Sequence, residues 1–143
     1  MKTLLQFVYE HEKVLADRVW LTQPMGGGAL REFTWSDAMG EVRRMAAHLS
    51  DRAYPPGSRI AILSKNCAWW FMVDLAIWMA GHVSVPVYPT LTADSVRAIL
   101  EHSGARLVFL GKLDHFDTME SGIPATLDRI TFPLSPVNVG EGW

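Results

Sequence analysis

The sequence predicts an α/β domain in which a parallel sheet lies between layers of helices. Three short apolar runs, at residues 59–63, 83–87 and 107–110, have the length and composition of buried strands. Helical segments separate these runs, and a strand–helix–strand order requires crossover connections that make neighbouring strands parallel. The chain has 143 residues, 49% hydrophobic and 20% charged, which is the balance of one ordinary domain with a buried core.

A helix and a loose hairpin are expected before this core. The helix covers residues 3–16, and its apolar stripe consists of Leu4, Phe7, Val8, His11 and Leu15. The apolar segments at 19–21 and 29–34 have the composition of strands, and the glycine-rich tract at 24–28 is typical of a hairpin connection. We therefore expect a hairpin at the N-terminal edge of the domain.

The second helix is predicted to begin after Thr34. The Thr34 hydroxyl can accept a hydrogen bond from a first-turn amide, and Asp37 can reach back to the Thr34 amide, as in a capping box. The apolar positions that follow at helical spacing are Ala38, Val42, Met45, Ala46 and Leu49. The opposite side carries Glu41, Arg43, Arg44 and His48. We therefore expect this helix to pack through one face only.

The strand at 59–63 is expected inside the sheet, because its continuous apolar run suits a strand buried on both faces. The Pro-Pro-Gly turn at 55–57 separates it from the preceding helix. Asn66 is predicted to cap a third helix that runs to about Ala80. Asp74 is the only charged residue of that helix, so we expect the helix to be buried on nearly all sides.

Glycine, proline and threonine mark the boundaries of the next elements. Gly81 should end the third helix, and Pro86 indicates that the following strand has an edge, a bulge or an end at this point. Thr92 is predicted to cap a fourth helix, and Gly104 should end it in the left-handed conformation. The repeated strand–helix–strand unit supports the parallel sheet.

The signals weaken after the strand at 107–110. A short helix near Phe116 and a short strand at 130–132 are expected, whereas the tail from 133 to 143 shows no clear element. No internal repeat, linker or domain boundary is visible. Residues 1–143 are therefore interpreted as one domain.

Candidate metal and phosphate motifs do not match the spacing that those sites require. The histidines are too scattered to form a metal-ligand pair; they are His11, His48, His82, His102 and His115. Residues 26–28 are three glycines, but no Lys-Ser/Thr follows them and they do not lead from a strand into a helix. Gly111 and Lys112 fail the same test. Flexible turns are the better interpretation of both segments.

Cysteine and carboxylate residues also fit structural roles better than catalytic ones. Cys67 lies at the start of an apolar helix, where burial should suppress its thiolate, and it has no partner for a disulfide. Asp114, Asp117 and Glu120 recur every three positions, as in a carboxylate site or a solvated helix face. The solvated face is favoured, because nothing in the sequence pairs or buries these groups.

An aromatic group in the third helix has two interpretations. Trp69, Trp70, Phe71 and Trp78 could line a pocket for an acyl chain, since such pockets are rich in aromatic side chains. Consecutive helical residues point in different directions, however, so a helix buried on several sides explains the group better. We expect these residues to belong to the core.

Charge and hydropathy limit the classes of partner and the cellular location that we expect for the chain. The formal net charge is −2 and no large basic cluster occurs, so no nucleic-acid partner is expected. Glu10 and Glu12 interrupt the apolar N-terminus before it reaches the length of a signal peptide. Glycine and prolines divide the uncharged stretch at 75–93, so we expect no transmembrane segment. A single cysteine fits a cytoplasmic protein.

Several motifs occur in a defined order: FTWSD at 33–37, PGSRIAILSKN at 56–66, AGHVSVPVYPT at 80–90 and ILEHSGAR at 99–106. With the tryptophan-rich helix, they resemble the N-terminal region of adenylate-forming acyl-CoA synthetases over about residues 1–115. Tyr88, Pro89 and Thr90 resemble the long-chain fatty-acid branch. The resemblance implies a three-layer N-terminal subdomain, and 1–143 is then one partial domain of the large adenylation domain.

The resemblance also implies a reaction for the parent protein. Such enzymes convert a carboxylic acid and ATP, with Mg²⁺, into an acyl-adenylate, and then transfer the acyl group to CoA. The family's phosphate-binding, adenine-binding, magnesium-coordinating and C-terminal lysine motifs lie beyond the matched region. No catalytic, cofactor-binding or metal-binding residue is therefore assigned here, and we expect an N-terminal fragment of a fatty-acid–CoA ligase that is inactive alone. A homodimer is possible.

Two alternatives to an enzyme fragment stay open. The chain could be a stand-alone α/β interaction or regulatory module related to the synthetase N-terminus, pairing through a sheet edge or apolar surface. It could also be a small nucleotide-binding α/β protein, although the missing phosphate loop disfavours that function.

Overall fold

The computed structural model describes residues 1–143 and contains a two-stranded hairpin and a five-stranded parallel sheet. In chain order the elements are α1 (Leu4–Leu15), β1 (Val19–Gly26), β2 (Ala29–Thr34), α2 (Trp35–Asp51), β3 (Arg59–Leu63), α3 (Ala68–Met79), β4 (Val83–Val87), α4 (Ala93–Ser103), β5 (Leu107–Leu110), α5 (Phe116–Met119), β6 (Asp128–Thr131) and β7 (Glu141–Gly142). The sheet order is β4-β3-β5-β6-β7. No helix has both the length and the apolar character needed to cross a bilayer.

Alternation along β3 and β5 builds two cores, one on each face of the sheet. Ile60 and Ile62 belong to the core covered by α2 and α3, whereas Ala61 and Leu63 belong to the core on the opposite face, with α4 and α5. All four residues of β5 are buried. The predicted three-layer α/β architecture with a parallel sheet is confirmed.

The predicted hairpin is present, and its first strand is longer than the sequence indicated. β1 continues through Pro24 to Gly26, so the turn itself consists of Gly27 and Gly28, both with positive φ. Strand β2 has the predicted limits. The glycines therefore serve the backbone conformation of a turn, as expected.

Helix α2 begins as predicted, with a reciprocal cap. The Asp37 amide donates to Thr34 Oγ1 at 3.1 Å, and the Thr34 amide donates to Asp37 Oδ2 at 3.1 Å. The apolar residues of α2 that were predicted to face the core are buried. Helix α2 lies against α3 and the sheet through this face.

Helix α1 forms where predicted, but the stripe that packs was assigned wrongly. Leu4 and Phe7 are 65% and 45% exposed, whereas Val8 packs against the core as predicted, together with Leu5 and Tyr9, which lay outside the predicted stripe. Helix α1 is apolar on more than one side, so the sequence pattern alone does not define the side that packs. In this orientation the Glu12 carboxylate binds the Arg43 guanidinium of α2.

Strand β4 lies at the edge of the sheet, as its proline indicated. The Val83 amide donates to Ser58 O at 2.9 Å, so alternate residues from Val83 bond inward to the β3 side. Pro86 falls on the outward-facing set and offers no amide to an approaching strand. The edge is therefore protected against strand addition.

The C-terminal tail contains a strand that the sequence did not indicate. Residues 141–142 pair in parallel with β6, and the Trp143 amide donates to Thr131 O at 2.8 Å. Strand β6 itself ends at Thr131, one residue before the predicted limit. Two residues are too few to give a periodic pattern, so tertiary contacts define this element.

Asp74 is the only charged residue of α3 and is incompletely satisfied. Its Oδ1 is buried without a hydrogen-bond partner. Burial raises the pKa of the carboxyl, and a hydrogen bond with Ser84 partly opposes that effect. Because the pKa is raised on folding, the ionised carboxylate destabilises the fold as pH rises through that pKa.

Replacing Asp74 with Asn should therefore stabilise the protein at neutral pH. We expect Asp74→Asn to raise the melting temperature by about 3 °C at pH 7. The gain should shrink at pH 4, because lowering the pH protonates the wild-type carboxyl, whose pKa is raised, and so removes the cost of its buried charge. Asp17→Asn, at an exposed position, is the control, and thermal unfolding followed by circular dichroism is the measurement. An equal effect of the two variants at both pH values would contradict the assignment.

Candidate functional site

The carboxyl ends of the parallel strands form the candidate site, because ligands of open α/β sheets bind where the strand order reverses. From β3 the chain passes through α3 to β4 on one side, and then through α4 to β5 on the other. The reversal therefore lies between β3 and β5. The loops at 64–67 and 111–115 border it.

The crevice at this reversal is filled by the protein itself. A Cβ placed on Gly111 would lie 2.0 Å from the Phe132 ring and 2.5 Å from Ser64 Oγ. The Lys65 amide also donates to Lys112 O at 2.8 Å, which joins the two loops. Gly111 is thus required by close packing, and its interpretation as a flexible turn is wrong. Phe132 and Ser64 therefore pack directly against the Gly111 backbone at the strand reversal.

The charges at this edge are mostly paired. Lys65 binds the Asp114 carboxylate, and this contact lowers the pKa of Asp114. Asp117 is exposed, and Glu120 lies 4.0 Å from the Arg129 guanidinium. The three carboxylates face solvent, in agreement with the solvated-face interpretation.

An aromatic pocket of about 340 Å³ lies between the ends of β3 and β4. Trp70 forms one wall from the first turn of α3, and Tyr88, which is 76% exposed, forms another. Ser64 and Asn66 contribute polar groups. The pocket can accept a small apolar or aromatic group, with hydrogen-bonding groups at one end.

A second pocket, of about 360 Å³, lies between the hairpin and the start of α3. Leu21 and Pro24 line it from β1, and Phe71, 45% exposed, lines it from α3. Lys112 contributes a positively charged side chain, and Cys67 also lines the pocket. The two pockets flank the filled crevice.

The aromatic group predicted as core divides in the structure. Trp69 is 1% exposed and packs edge-on against Phe33, with ring centroids 5.6 Å apart, as expected of core. Trp70 and Phe71 instead line the two pockets. Trp69 shares the first turn of α3 with Trp70 and Phe71, so position in the sequence does not separate the buried ring from the two that line pockets.

The start of α3 is capped by a residue from the hairpin, and the prediction of Asn66 as the cap is wrong. Cys67 occupies the N-cap position without a side-chain hydrogen bond to the helix. The Ala68 amide donates instead to Gln23 Oε1 at 2.9 Å, and Gln23 Nε2 donates to Pro24 O at 2.8 Å. Gln23 is buried, so both contacts are shielded from water. A partner 45 residues away in sequence gives no local signal.

The Cys67 thiol is held in its neutral form. Burial raises the pKa of this thiol, and the neighbouring Trp70 and Trp69 amides and Ser64 favour the thiolate but oppose the increase only in part. The expectation that burial suppresses the thiolate is confirmed. Cys67 therefore does not supply a nucleophile.

The histidines lie apart from each other and from this edge's pockets. His82 is buried with Nδ1 unpartnered, and burial lowers its pKa. His48 and His102 are on exposed helix surfaces, as predicted. No group of three or more His, Cys, Asp or Glu side chains is arranged to hold a metal ion. The carboxyl edge can thus bind and position a ligand, but it presents no nucleophile–base pair.

Removing the Gln23 cap should destabilise the protein and loosen the hairpin. We expect Gln23→Leu to lower stability by about 1–2 kcal/mol, because the buried Ala68 amide loses its acceptor. Hydrogen exchange should accelerate in residues 19–34 more than in β3 and β5. Thr22→Val, at an exposed position on the same strand, is the control. Equal stability of the two variants in urea unfolding would contradict this role.

A family model for AMP-binding enzymes matches residues 9–134. Among curated proteins, the long-chain-fatty-acid–CoA ligase FadD15 of Mycobacterium bovis is 33% identical over 123 residues. The alignment covers 86% of this chain and 20% of the relative. The chain therefore spans about a fifth of the length of that ligase.

Solved structures share the fold at lower sequence identity. The anthranilate CoA ligase AuaEII, in complex with anthranoyl-AMP, matches with a TM-score of 0.80 and 18% identity, over 96% of this chain and 26% of that chain. The N-terminal subdomain of NpsA from Klebsiella oxytoca matches with a TM-score of 0.73 and 21% identity, over 92% and 31%. These likenesses describe the three-layer arrangement.

Proposed function

Because this chain belongs to the AMP-binding enzyme family, we propose that it is the N-terminal part of an adenylate-forming ligase that activates long-chain fatty acids as CoA thioesters. The observation that carries the substrate class is the 33% identity with a long-chain-fatty-acid–CoA ligase over most of this chain. The parent reaction joins a carboxylic acid to ATP, releases pyrophosphate, and transfers the acyl group from AMP to the CoA thiol.

The residues of this chain do not fit ATP or Mg²⁺. Phe132 and Ser64 pack against Gly111 at the strand reversal, the position at which open α/β sheets most often bind ligands. Asp114, the acidic group nearest this position in sequence, is bound to Lys65. Transfer of a phosphoryl-linked group requires concentrated positive charge or metal, which these residues do not supply. We propose that this chain contributes structure and binding surface, and that it is inactive alone.

The contribution we propose is an apolar wall at the carboxyl edge. Trp70, Phe71 and Tyr88 present aromatic surface there, on elements fixed by the two cores. Apolar walls with few polar groups suit a hydrocarbon substrate. Lys112 and Asn66 supply polar groups at the same edge.

Pyrophosphate exchange tests this proposal. The purified 143-residue chain should show no fatty-acid-dependent exchange of pyrophosphate into ATP, because its crevice is filled. A chimera in which this chain replaces the matching segment of FadD15 should catalyse that exchange with a C16 fatty acid. Unmodified FadD15 is the positive control.

Two results would contradict the proposal. Exchange by the isolated chain would refute its inactivity. A folded chimera that activates other acids but no long-chain acid would refute the substrate class. Circular dichroism and gel filtration of the chimera separate a folding failure from a functional one.

A stand-alone interaction module is the second candidate, favoured by the two closed hydrophobic cores. A monomer that binds no hydrophobic dye would support this module, whereas a dye-binding, self-associating chain would support a fragment. Homodimer formation, the third outcome, would be detected by sedimentation.

A cytoplasmic location is proposed because the chain has a single unpaired cysteine, which is buried.

A further inference from the structure

The pocket between the hairpin and the start of α3, the hairpin pocket, carries charge of one sign only. Its volume is about 360 Å³, and Lys112 is the only charged side chain among the residues that line it. No aspartate or glutamate lines it. A larger pocket, at the amino ends of β5 and β6, contains Glu101 and Asp128 as well as Arg106. The hairpin pocket is therefore the one of the two that favours a negatively charged ligand.

Lys112 has no anionic partner within the chain. It is half-buried, and no carboxylate lies within ion-pair distance of its ammonium group. The nearby Asp114 carboxylate binds Lys65 instead. The Cys67 thiol is neutral, because burial raises its pKa and the Lys112 charge is only one of the weaker influences that oppose this rise. The ammonium group therefore keeps an unbalanced charge.

Two neighbouring features add to the positive potential. Helix α3 has 12 residues and begins with Ala68 in the wall of the hairpin pocket, so the positive end of the helix dipole lies there. Arg31 pairs with Gln23 across the hairpin, and its guanidinium lies 5.2 Å from the Trp69 ring centroid. Arg31 also has no carboxylate partner. The surroundings thus favour an anion more than Lys112 alone would.

The walls of the hairpin pocket are largely apolar. Leu21 and Pro24 form one wall from β1, and the Phe71 ring, which is 45% exposed, forms the other from α3. Asn66 adds a neutral amide. Apolar surface of this kind gains free energy when a hydrocarbon group covers it. A matching ligand therefore has an apolar part joined to its anionic group.

We propose that the hairpin pocket binds an amphiphilic organic monoanion, whose charged group pairs with Lys112 and whose short apolar chain lies against Phe71 and Leu21. One unpaired ammonium group in the pocket balances one negative charge, so a monoanion fits better than a phosphate ester with two. The hairpin pocket opens on the hairpin side of the packed strand reversal, whereas the pocket of Trp70 and Tyr88 opens on the β4 side. The inference goes beyond the proposed function and stands without it, because it concerns binding by this chain alone.

Titration followed by amide NMR tests the site in the 143-residue chain. Hexanoate and hexanesulfonate are the probes, because each joins a single negative charge to a short alkyl chain. We expect dissociation constants of about 1 mM, since one solvated ion pair and a short apolar contact stabilise the complex. The largest shifts should occur at the amides of Thr22, Ala68 and Phe71, and the shift at Tyr88 should be small.

Three further ligands separate the charge from the chain. Hexanol has the chain without the charge and acetate has the charge without the chain, so each should bind at least about tenfold more weakly than hexanoate. Hexyl phosphate should bind no more tightly than hexanoate. Salt at about 0.5 M should weaken the binding of hexanoate, because it screens the contact with the exposed part of Lys112.

Variants test the two parts of the site separately. Lys112→Gln should weaken hexanoate binding about tenfold, whereas Lys112→Arg keeps the positive charge and should retain most of the affinity. Lys13→Gln, at an exposed lysine of α1, is the matched control and should bind like the wild type. Phe71→Ser should weaken hexanoate but leave acetate unchanged, because it removes only apolar surface.

Three results would each overturn the proposal. They are equal binding of hexanol and hexanoate, unchanged hexanoate binding by Lys112→Gln, and shifts centred on Tyr88. Tighter binding of hexyl phosphate than of hexanoate would overturn the choice of a monoanion. Unchanged amide shifts in β3 and β5 show that each variant is folded. Pyrophosphate exchange by the chimera is a separate measurement, so failure of one proposal leaves the other standing.

Discussion

The two interior strands, β3 and β5, impose the constraint on which the rest of the structure depends. Nine residues form these strands and all but Arg59 are buried, so their backbone groups must be paired within the sheet. Their alternating side chains must also be covered on both faces. Helices α2 and α3 cover one face of the sheet, and helices α4 and α5 cover the other. This is why the chain forms three layers.

The same constraint explains the filled site. Burying β3 and β5 brings their following loops within hydrogen-bonding distance, and Gly111 allows the Phe132 ring to close over them. The edge that most often binds ligands in this architecture is therefore packed at its centre and open on both sides. The two pockets lined by Trp70 and Phe71 are the open surfaces beside that packed centre.

Much of the fold was predictable because the signals are local. Thr34, Gly81, Thr92 and Gly104 mark helix boundaries through their own hydrogen-bonding and backbone preferences, and each lies where expected. The errors involve long-range contacts. Gln23 caps a distant helix, Glu12 of α1 binds Arg43 of α2, and β7 contacts α2 through Glu141. The hydrophobic periodicity of a sequence does not reveal contacts between residues that are far apart in the chain.

Calorimetry of the isolated chain with ATP and Mg²⁺ tests the central claim most directly. The claim is our proposal that this chain, a member of the AMP-binding enzyme family, holds no nucleotide site of its own, because Phe132 and Ser64 pack against Gly111 at the strand reversal. We predict no saturable heat at millimolar nucleotide. Saturable one-to-one binding of the nucleotide by the folded chain would contradict the claim.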